Sequence, residues 1–388
     1  MTIAFWICLF LVFYTFFGYG ILLYCLIRIK RMFNPVKRSL YDFDALPSCT
    51  LIVAAFNEED FIKDKIENTL KLNYPAGKLE FIFVTDGSSD KTPELVSAYP
   101  QIKLLHSPER KGKISAVHRA MLHVQTELVV FTDANTFLNP EALVYLCRHY
   151  ADLQVGAIAG EKRVAIEEST DATAGEGFYW KYESKLKAWD SELYSVVGAA
   201  GELFSIRKSL YEPVAANSVL DDFMISMRIA EKGYVIVYEP LAYALESSSA
   251  NINEELKRKI RIAAGGIQSI LWLKLLLNPF RFPVLSFQYI SHRVLRWTIT
   301  PLLMIAALLL NLALVLNQAG GFYKIIFLLQ VLFYTSAYLG KVFEDRKLRI
   351  KILFIPFYFC MMNYAVLAGL LRFFFGKQSV IWEKALRK

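Results

Sequence analysis

One uncharged apolar run near the N-terminus limits what this chain can fold into more than any other feature. From Ile3 to Ile27 the sequence reads IAFWICLFLVFYTFFGYGILLYCLI without a charged residue. At about 1.5 Å per helical residue, this run is long enough to cross a hydrocarbon core roughly 30 Å thick. A signal peptide would begin with basic residues and have a shorter apolar core. We therefore predict a transmembrane helix over residues 1–28.

Basic residues after this run give its predicted orientation. They are Arg28, Lys30, Arg31, Lys37 and Arg38. Because basic residues flank transmembrane helices on the cytoplasmic side, we expect the N-terminus outside the cell and residues 29–46 to form a basic juxtamembrane linker in the cytoplasm. The sequence therefore predicts an integral protein of the inner (cell) membrane with a cytoplasmic central domain.

Three further apolar runs form a predicted C-terminal transmembrane region, 298–376, and they lie at residues 295–317, 322–340 and 351–375. The first two are expected to form an out-and-back hairpin. The third leaves two alternatives, because a crossing would place the basic tail 377–388 outside, whereas a bent or interfacial helix would keep it in the cytoplasm. Residues 273–297 mix proline, aromatic residues and arginine, which predicts a segment at the cytoplasmic interface.

Charge and composition exclude several classes of function. The chain is 55% hydrophobic, and its 44 Lys plus Arg exceed its 36 Asp plus Glu. Much of this basic surplus adjoins the apolar runs, where membrane lipids explain it, so nucleic acid is not an expected partner. The five cysteines have no CxxC spacing and the five histidines form no HExxH motif. A disulfide scaffold and zinc-dependent hydrolysis are therefore not expected.

Residues 47–272 have ordinary polarity and are predicted to form a cytosolic α/β domain. Short β-rich runs alternate with helical ones, as in a mostly parallel sheet covered by helices. The candidate strands are 49–56, 80–86, 102–107, 128–134, 155–160, 202–207 and 234–240. The candidate helices lie near 58–71, 93–98, 113–123, 140–150, 176–190, 222–232 and 254–272. Because ligands collect beyond the carboxyl ends of strands in such sheets, we expect the site there.

Polar residues follow the first two predicted strands. Asn57 and Glu58 come after the first and Asp86 after the second, with neither a P-loop nor a GxGxxG motif behind them. Asp86 either begins a tight turn that leads into the next helix or accepts hydrogen bonds from a nucleotide. Lys113 opens the following helix, where a bound diphosphate would explain a cation at a helix N-terminus. A solvated charge run is the alternative for Lys113.

Two acidic patterns complete the set of candidates. Asp133 and Asn135 follow the fourth predicted strand, and two oxygen ligands on one side of a strand suit a divalent cation that also binds a diphosphate. Asp221 and Asp222 begin a predicted helix, where they either cap it or supply a general base for an attacking hydroxyl. Each pattern alone also fits an ordinary loop or cap.

Taken in order, these motifs resemble the membrane-bound family 2 glycosyltransferases, GT-A enzymes related to cellulose, hyaluronan and poly-N-acetylglucosamine synthases. The motifs are AAFNEE, TDGSSD, GK at 112–113, TDANT, GAAGELFSIRK, LDDFMISMRIAEKGY, KRKIRIAAGGIQS and WEKALR. The resemblance covers Thr50 to Arg387. It implies a GT-A (nucleotide-diphospho-sugar transferase) domain flanked by transmembrane helices. It also implies inverting transfer from a UDP-sugar, with Mg²⁺ or Mn²⁺ as cofactor, onto a growing cell-envelope or extracellular polysaccharide.

The resemblance also implies roles for individual residues. Those implied to bind the nucleotide sugar are Asn57, Glu58, Asp86, Lys113, Asp133 and Arg261. Those implied to bind the metal ion are Asp133 and Asn135, and those beside the acceptor are Gly201 and Glu202. Asp222 is implied to be the catalytic base, with Asp221 in the place of the family's glutamate.

One stretch departs from the family pattern. Processive members carry a Q-x-x-R-W motif, and the matching stretch from Arg258 to Ile262 keeps Arg261 but lacks the Gln and the Trp. The missing aromatic ring would stack on an acceptor sugar. A glycolipid synthase that adds one sugar to a membrane lipid is therefore an alternative to a polysaccharide synthase. A transporter or a non-catalytic nucleotide-sensing membrane protein is a third hypothesis, which the few charges in the apolar runs disfavour.

Overall fold

The structure, a computed structural model, describes residues 1–33, 41–164, 173–246, 252–346, 348 and 350–376, without the side chains of 173–180. The predictions that rest on Lys37, Arg38 and the tail 377–388 lie outside the described residues. The centre of the molecule is one eight-stranded sheet with the strand order β3-β2-β1-β4-β7-β6-β8-β5.

All seven predicted strands are present, together with one that the sequence did not indicate. The strands are β1 Cys49–Ala55, β2 Leu79–Asp86, β3 Lys103–Ser107, β4 Leu128–Asp133, β5 Thr136–Leu138, β6 Val155–Val164, β7 Leu203–Arg207 and β8 Val235–Glu246. The unpredicted strand, β5, has three residues, too few for a period-2 pattern to be recognised. Strands β1 and β4 are apolar on both faces because helices cover the sheet on both sides.

The prediction of a mostly parallel sheet is confirmed, since four of the seven pairs among the described strands are parallel, including β6 with β8, and the three antiparallel pairs lie in one half. Strands β1, β2, β3 and β4 pair in parallel, as expected. Strand β7 runs antiparallel to both β4 and β6, and β5 runs antiparallel to β8. The sheet is therefore mixed. The antiparallel strands could not be predicted, because the hydrophobic pattern of a strand carries no information about its direction.

Two helical layers bury the two faces of the sheet. The helices of the central domain are α3 Ile62–Leu70, α4 Thr92–Ser97, α5 Lys113–Met121, α6 Ala142–Cys147, α7 Thr173–Leu193, α8 Asp221–Glu231 and α9 Ile252–Trp272. Helices α3, α4 and α6 contribute side chains to one apolar core. Helices α5, α8 and the end of α9 contribute to the other. This arrangement leaves the loops at the strand ends open to ligands.

Apolar helices flank the domain on both sides in sequence. They are α1 Thr2–Phe13 and α2 Tyr19–Phe33, α10 Pro283–Tyr289 and α11 Leu295–Trp297, α12 Thr300–Leu316, α13 Gly321–Asp345 and α14 Lys351–Phe374. A π-helical turn joins α1 to α2 in one continuous helix, Thr2–Phe33. This helix, α13 and α14 are long and apolar enough to cross a membrane. The pair formed by Pro283–Trp297 and Thr300–Leu316 is bent by 62°.

A buried polar cluster ties the first apolar helix to the domain. The Asp190 carboxylate on α7 accepts hydrogen bonds from the Tyr19 hydroxyl of α2 and from Gln288 Nε2 of α10, and it lies 2.5 Å from His292 Nδ1. The other nitrogen of His292 lies 3.1 Å from Glu183 of α7. These contacts hold the segment predicted to be interfacial between the domain and α2.

The last apolar helix, α14, lies alongside α9 of the central domain. Ile252 and Leu256, near the start of α9, pack on a cluster of α14 side chains that includes Phe354 and Met361. Further along, a Cβ atom at Gly369 would lie 2.7 Å from Ala263 Cβ. The two helices therefore run side by side in the same direction. A membrane crossing and a bent or interfacial helix both stay predictions for this run.

Candidate active site

The Asp86 carboxylate lies buried at the end of β2 and is held by main-chain amides. Its Oδ2 atom accepts hydrogen bonds from the backbone N–H groups of Lys111 at 2.9 Å and Gly112 at 2.6 Å. Its Oδ1 atom lies 4.0 Å from Arg119 Nη1 and accepts no hydrogen bond in the described part of the chain. A buried carboxylate oxygen without a donor suits the ring N–H of a nucleobase.

Asn57 and Glu58 connect the loops that follow β1 and β2. Asn57 has a φ of 52°, and its Oδ1 atom accepts a hydrogen bond from the Ser89 N–H at 2.8 Å. The buried Glu58 donates its backbone N–H to Thr92 Oγ1 at 2.9 Å. Both predicted residues therefore shape the same loop pair as Asp86. Their contact with a nucleotide stays a prediction.

Lys113 and Asp133 form an ion pair between the start of α5 and the end of β4. Lys113 Nζ lies 2.6 Å from Asp133 Oδ1. Burial by itself lowers the pKa of Lys113, but the carboxylates of Asp133, Asp221 and Asp222 outweigh it and raise that pKa above its usual value. The ammonium group is therefore charged and is paired with the Asp133 carboxylate.

The residues predicted to bind a metal ion offer a small set of ligands. Asn135 is buried in the turn between β4 and β5, two residues after Asp133. Within the described ranges, no group of three or more His, Cys, Asp or Glu side chains could hold a metal ion. One carboxylate and one amide oxygen fit Mg²⁺ or Mn²⁺ when phosphate oxygens and water supply the other ligands.

Lys65, which the sequence did not indicate, donates hydrogen bonds to residues on both sides of this turn. It is fully buried on α3 and donates to the Thr136 backbone oxygen at 2.6 Å and to Thr132 Oγ1 at 3.2 Å. Burial lowers the pKa of Lys65 to about 7, against the opposing effect of Asp133. The sequence feature that could have indicated a buried lysine is its position on the apolar face of the amphipathic helix α3.

Gly201 lies between the side chains of Lys113 and Asp222. A Cβ atom at Gly201 would lie 3.1 Å from Asp222 Oδ2 and 3.2 Å from Lys113 Nζ, so a larger residue would fill the space between them. The small recess here is lined by Lys113, Thr132, Gly201 and Asp221 together with apolar side chains. The structure thus brings Lys113, Asp133, Gly201 and the two helix-starting aspartates together.

Asp222 has the acid–base properties expected of a base. Its Oδ1 atom accepts a hydrogen bond from the Phe223 N–H at 2.8 Å. Burial, and then the neighbouring Asp221, raise the pKa of Asp222 to about 7, although Lys113 opposes them. A carboxylate with a pKa near the working pH can both take and release a proton.

Glu202, predicted to lie beside the acceptor, is held by a buried lysine that the sequence analysis also missed. Lys162 at the end of β6 lies 2.5 Å from Glu202 and also pairs with Glu246 at the end of β8. Arg258 of α9 lies 3.7 Å from Glu246. Burial raises the pKa of Glu202, but Lys162 outweighs it and holds that pKa well below its usual range. This cluster joins the loop at Gly201 to α9.

Arg261 lies on α9, close enough to Asp221 and Asp222 to interact electrostatically. Burial lowers its pKa, the neighbouring Arg258 and Arg372 lower it further, and the two aspartates oppose them. The next residue, Ile262, offers no aromatic surface. One turn later, a Cβ atom at Gly266 would lie 2.5 Å from the Trp297 ring, which also contacts Phe223 at a centroid distance of 5.4 Å.

Comparisons with known proteins indicate the family and the fold of the central domain. The model of the glycosyl transferase family 2 matches residues 50–214. A poly-β-1,6-N-acetyl-D-glucosamine synthase from Staphylococcus aureus is 26% identical over 242 residues, which are 61% of this chain and 58% of the synthase. The corresponding synthase from Staphylococcus epidermidis is 23% identical over 271 residues, 66% of this chain and 65% of the synthase. The match thus covers less than two thirds of either relative.

A solved structure shares the fold over nearly the whole chain. The mannosyltransferase PcManGT from Pyrobaculum calidifontis, in complex with GDP-mannose and Mn²⁺, superposes with a TM-score of 0.70 at 23% identity. The similarity covers 96% of this chain and 99% of that one. The family match, the two synthases and the shared fold lead to one conclusion. The chain carries a glycosyl transferase family 2 domain of the GT-A fold.

Proposed function

We propose that the protein transfers a sugar from a nucleotide sugar to an acceptor hydroxyl, with inversion at the anomeric carbon. The observation that carries this proposal is the meeting of Lys113 and Asp222 at Gly201. A cation for the leaving diphosphate and a carboxylate with a raised pKa lie on two sides of one small space. Such an arrangement suits a single displacement.

On the donor side, negative charge develops on the leaving diphosphate as the bond from its oxygen to the anomeric carbon breaks. Lys113 is placed to stabilise that charge. Asp133 and Asn135 would hold a Mg²⁺ or Mn²⁺ ion, which would neutralise diphosphate charge when bound. The complex of PcManGT with Mn²⁺ and GDP-mannose is compatible with this assignment.

On the acceptor side, Asp222 takes the proton of the attacking hydroxyl while the new bond forms between that oxygen and the anomeric carbon. The acceptor oxygen and the leaving oxygen are then on opposite faces of the sugar, so the configuration inverts. An α-linked donor therefore gives a β-linked product. Glu202, held by Lys162, borders the space that the acceptor enters.

The donor is proposed to be UDP-linked, as the resemblance of the motifs to the family implies. The free Oδ1 atom of Asp86 suits the imide N–H of uracil. Guanine also presents a ring N–H, and PcManGT was solved with GDP-mannose. A panel of UDP-sugars together with GDP-mannose, assayed for nucleoside diphosphate release with and without EDTA, identifies the donor and tests the metal requirement. No release from any donor would contradict the proposal.

The acceptor is proposed to be a growing cell-envelope or extracellular polysaccharide, as the names of the staphylococcal synthases suggest. The second candidate is a membrane lipid that receives one sugar. The observation that favours it is the aliphatic Ile262, although Trp297 provides an aromatic ring against the same helix. Radiolabelled product separates the two, because a polymer stays at the origin of a thin-layer plate whereas a glycolipid migrates.

We also propose that the domain lies on the cytoplasmic side of the inner membrane. Three described helices have the length and composition of membrane spans. The basic residues Arg28, Lys30 and Arg31 at the end of the first span support this orientation. A cysteine introduced at the exposed Leu153 should be protected from an impermeant thiol reagent in intact cells and labelled after lysis. Labelling in intact cells would reverse the proposed orientation.

The variant Asp222→Asn tests the catalytic assignment. We expect a loss of turnover of at least about 10²-fold, because amide nitrogen and oxygen cannot take the proton, with UDP binding retained. Glu94→Gln, on the exposed surface of α4, removes an acidic charge away from the site and serves as the matched control. Wild-type turnover in Asp222→Asn would show that another group is the base.

A further inference from the structure

The final apolar helix packs against α9, the helix that carries Arg261. Gly369 of α14 packs so closely on α9 that an added Cβ atom would lie 2.9 Å from Ala264 N and 3.0 Å from the Ile260 backbone oxygen. Arg261 follows Ile260 directly, and Arg372 follows Gly369 by about one helical turn. The close approach of the two helices therefore places these arginines beside each other.

The two half-buried arginines have no acidic side chain at ion-pair distance in the described part of the chain, although Asp221 and Asp222 act on Arg261 from further away. In the described part of the chain, neither Arg261 nor Arg372 forms an ion pair, and Arg372 Nε is buried without a hydrogen-bond partner. Arg372 also lowers the pKa of Arg261, which reports two like charges at short range. Two neighbouring guanidinium groups with reduced access to water destabilise a fold unless an anion lies between or beside them.

We propose that Arg261 and Arg372 form a phosphate-binding pair, so that the last apolar helix supplies a binding residue to the catalytic site. Arg261 of the pair interacts electrostatically with Asp221 and Asp222, which begin α8. Guanidinium groups bind phosphate oxygens through two parallel hydrogen bonds, and a pair of them suits a doubly charged phosphate ester. The inference rests on the proposed function and adds a residue, Arg372, that no sequence motif indicated.

A phosphate group can reach this pair from two sources. One is the diphosphate of the nucleotide sugar, from the side of Lys113. The other is a lipid phosphate, which would approach along α14, whose outer face exposes Leu371 and Phe374. Both sources present the same chemistry to the arginines, and the experiment below distinguishes them.

The first test measures binding by the full-length protein in detergent with Arg372→Gln, Arg372→Lys and the control Lys351→Gln. Lys351→Gln removes a positive charge from the exposed start of the same helix. Ligands are UDP, uridine, inorganic diphosphate and dodecyl phosphate. If the donor is the source, Arg372→Gln weakens UDP and diphosphate binding by about 10-fold or more, Arg372→Lys by less, and uridine binding is unchanged.

If a lipid phosphate is the source, Arg372→Gln weakens only the binding of dodecyl phosphate. Either pattern supports the pair. Equal affinities of wild type and Arg372→Gln for all the phosphate ligands would overturn it. So would an equal loss for uridine, because that result indicates general damage to the site. If phosphate binding depends on Arg372 but no nucleotide sugar is turned over, the phosphate-binding pair is supported and the proposed transferase function is contradicted.

The second test moves Arg372 and leaves its charge in place. A valine at Gly369 would clash with Ala263 and Ala264 and push α14 away from α9. We expect Gly369→Val to weaken the same phosphate ligand as Arg372→Gln. Leu371→Ala, at a side chain that is 58% exposed, is the control for a change in the same turn. Wild-type phosphate affinity in a folded Gly369→Val protein would contradict the placement of Arg372.

Discussion

The two sides of the active site are held together by different means. On the nucleotide side, backbone amides of adjacent loops hold Asp86, and short loop contacts hold Asn57. On the acceptor side, side-chain ion pairs join elements far apart in the sequence, such as Lys162 with Glu202 and Glu246. The first side depends on main-chain geometry, whereas the second depends on buried charges that must all be in place.

This difference predicts different consequences of mutation. The backbone N–H groups that donate to Asp86 remain when the residues that carry them are substituted, so changes at Lys111 and its neighbours should alter binding by modest factors. A buried ion pair that loses one partner leaves the other charge without compensation. Changes on the acceptor side should therefore affect folding as well as turnover.

The largest effect is expected for Lys162→Met. It leaves the buried Glu202 and Glu246 without their shared cation, which should cost about 3–5 kcal/mol of unfolding free energy. Thermal or denaturant unfolding in detergent measures the change. Lys232→Met is the control, because Lys232 pairs with Glu212 at the surface, where such a pair contributes about 0–1 kcal/mol. Equal stability of the two variants would contradict the comparison.

A second prediction concerns the buried Lys65, which donates hydrogen bonds to the Thr136 backbone oxygen and to the Thr132 hydroxyl. Its pKa in the folded state is lowered to about 7, whereas an unfolded lysine keeps its ordinary, higher pKa. From pH 7 upward to the unfolded pKa, the unfolded chain binds the extra proton, so raising the pH stabilises the folded state. Wild type should gain about 1.4 kcal/mol per pH unit relative to Lys65→Met.

Unfolding of both proteins between pH 7 and 9.5 measures this difference, since other titrating groups cancel between them. A pH-independent difference would show that Lys65 keeps its ordinary pKa when buried.

The pH profile of turnover probes the aspartate pair of the acceptor side. Asp222 must be ionised to accept a proton, and its pKa is raised to about 7 by burial and by Asp221. Below pH 7, kcat/KM should fall about tenfold per pH unit. In Asp221→Asn the like charge is gone, so the fall should begin at lower pH. An unchanged inflection in that variant would exclude Asp222 as the titrating group.

The smallest effects are expected at Asn57. Its φ of 52° lies in the left-handed region, which glycine adopts freely and alanine adopts at a cost of about 1–2 kcal/mol. Asn57→Gly and Asn57→Ala both remove the amide contact with Ser89, so both should weaken UDP binding a few-fold. Only Asn57→Ala should also lower the melting temperature. Equal melting temperatures would show that the loop relaxes around residue 57.

The same contrast explains what could be predicted from the sequence. Residues at strand ends and helix starts follow from the alternation of strands and helices, which is why the sequence predicts Asp86, Lys113, Asp133 and Asp222 as candidates. Strand direction leaves no mark on hydrophobic periodicity, so the antiparallel β7 was not foreseen. The site residues found by pattern are those whose position depends on local structure.

Residues that act through distant partners were missed. Lys162 lies 40 residues from Glu202 in the sequence, and nothing in either segment indicates that they meet. Arg372 is an isolated arginine in an apolar run. Such an arginine is also typical of a side chain that extends to the lipid headgroups, so the sequence does not indicate a site residue. Only the packing of Gly369 on α9 relates it to Arg261.

The contact between α9 and α14 has a consequence for the order of synthesis. A nascent chain that stops before residue 351 already contains the sheet, both aspartate motifs and Lys113, but the apolar face of α9 at Ile252 and Leu256 has no neighbour. Helix α9 reaches its final environment only when the last apolar segment has been made and positioned. The loops around Asp86 can therefore fold early, whereas the packing of α9 is completed only after the C-terminal apolar helices have been made.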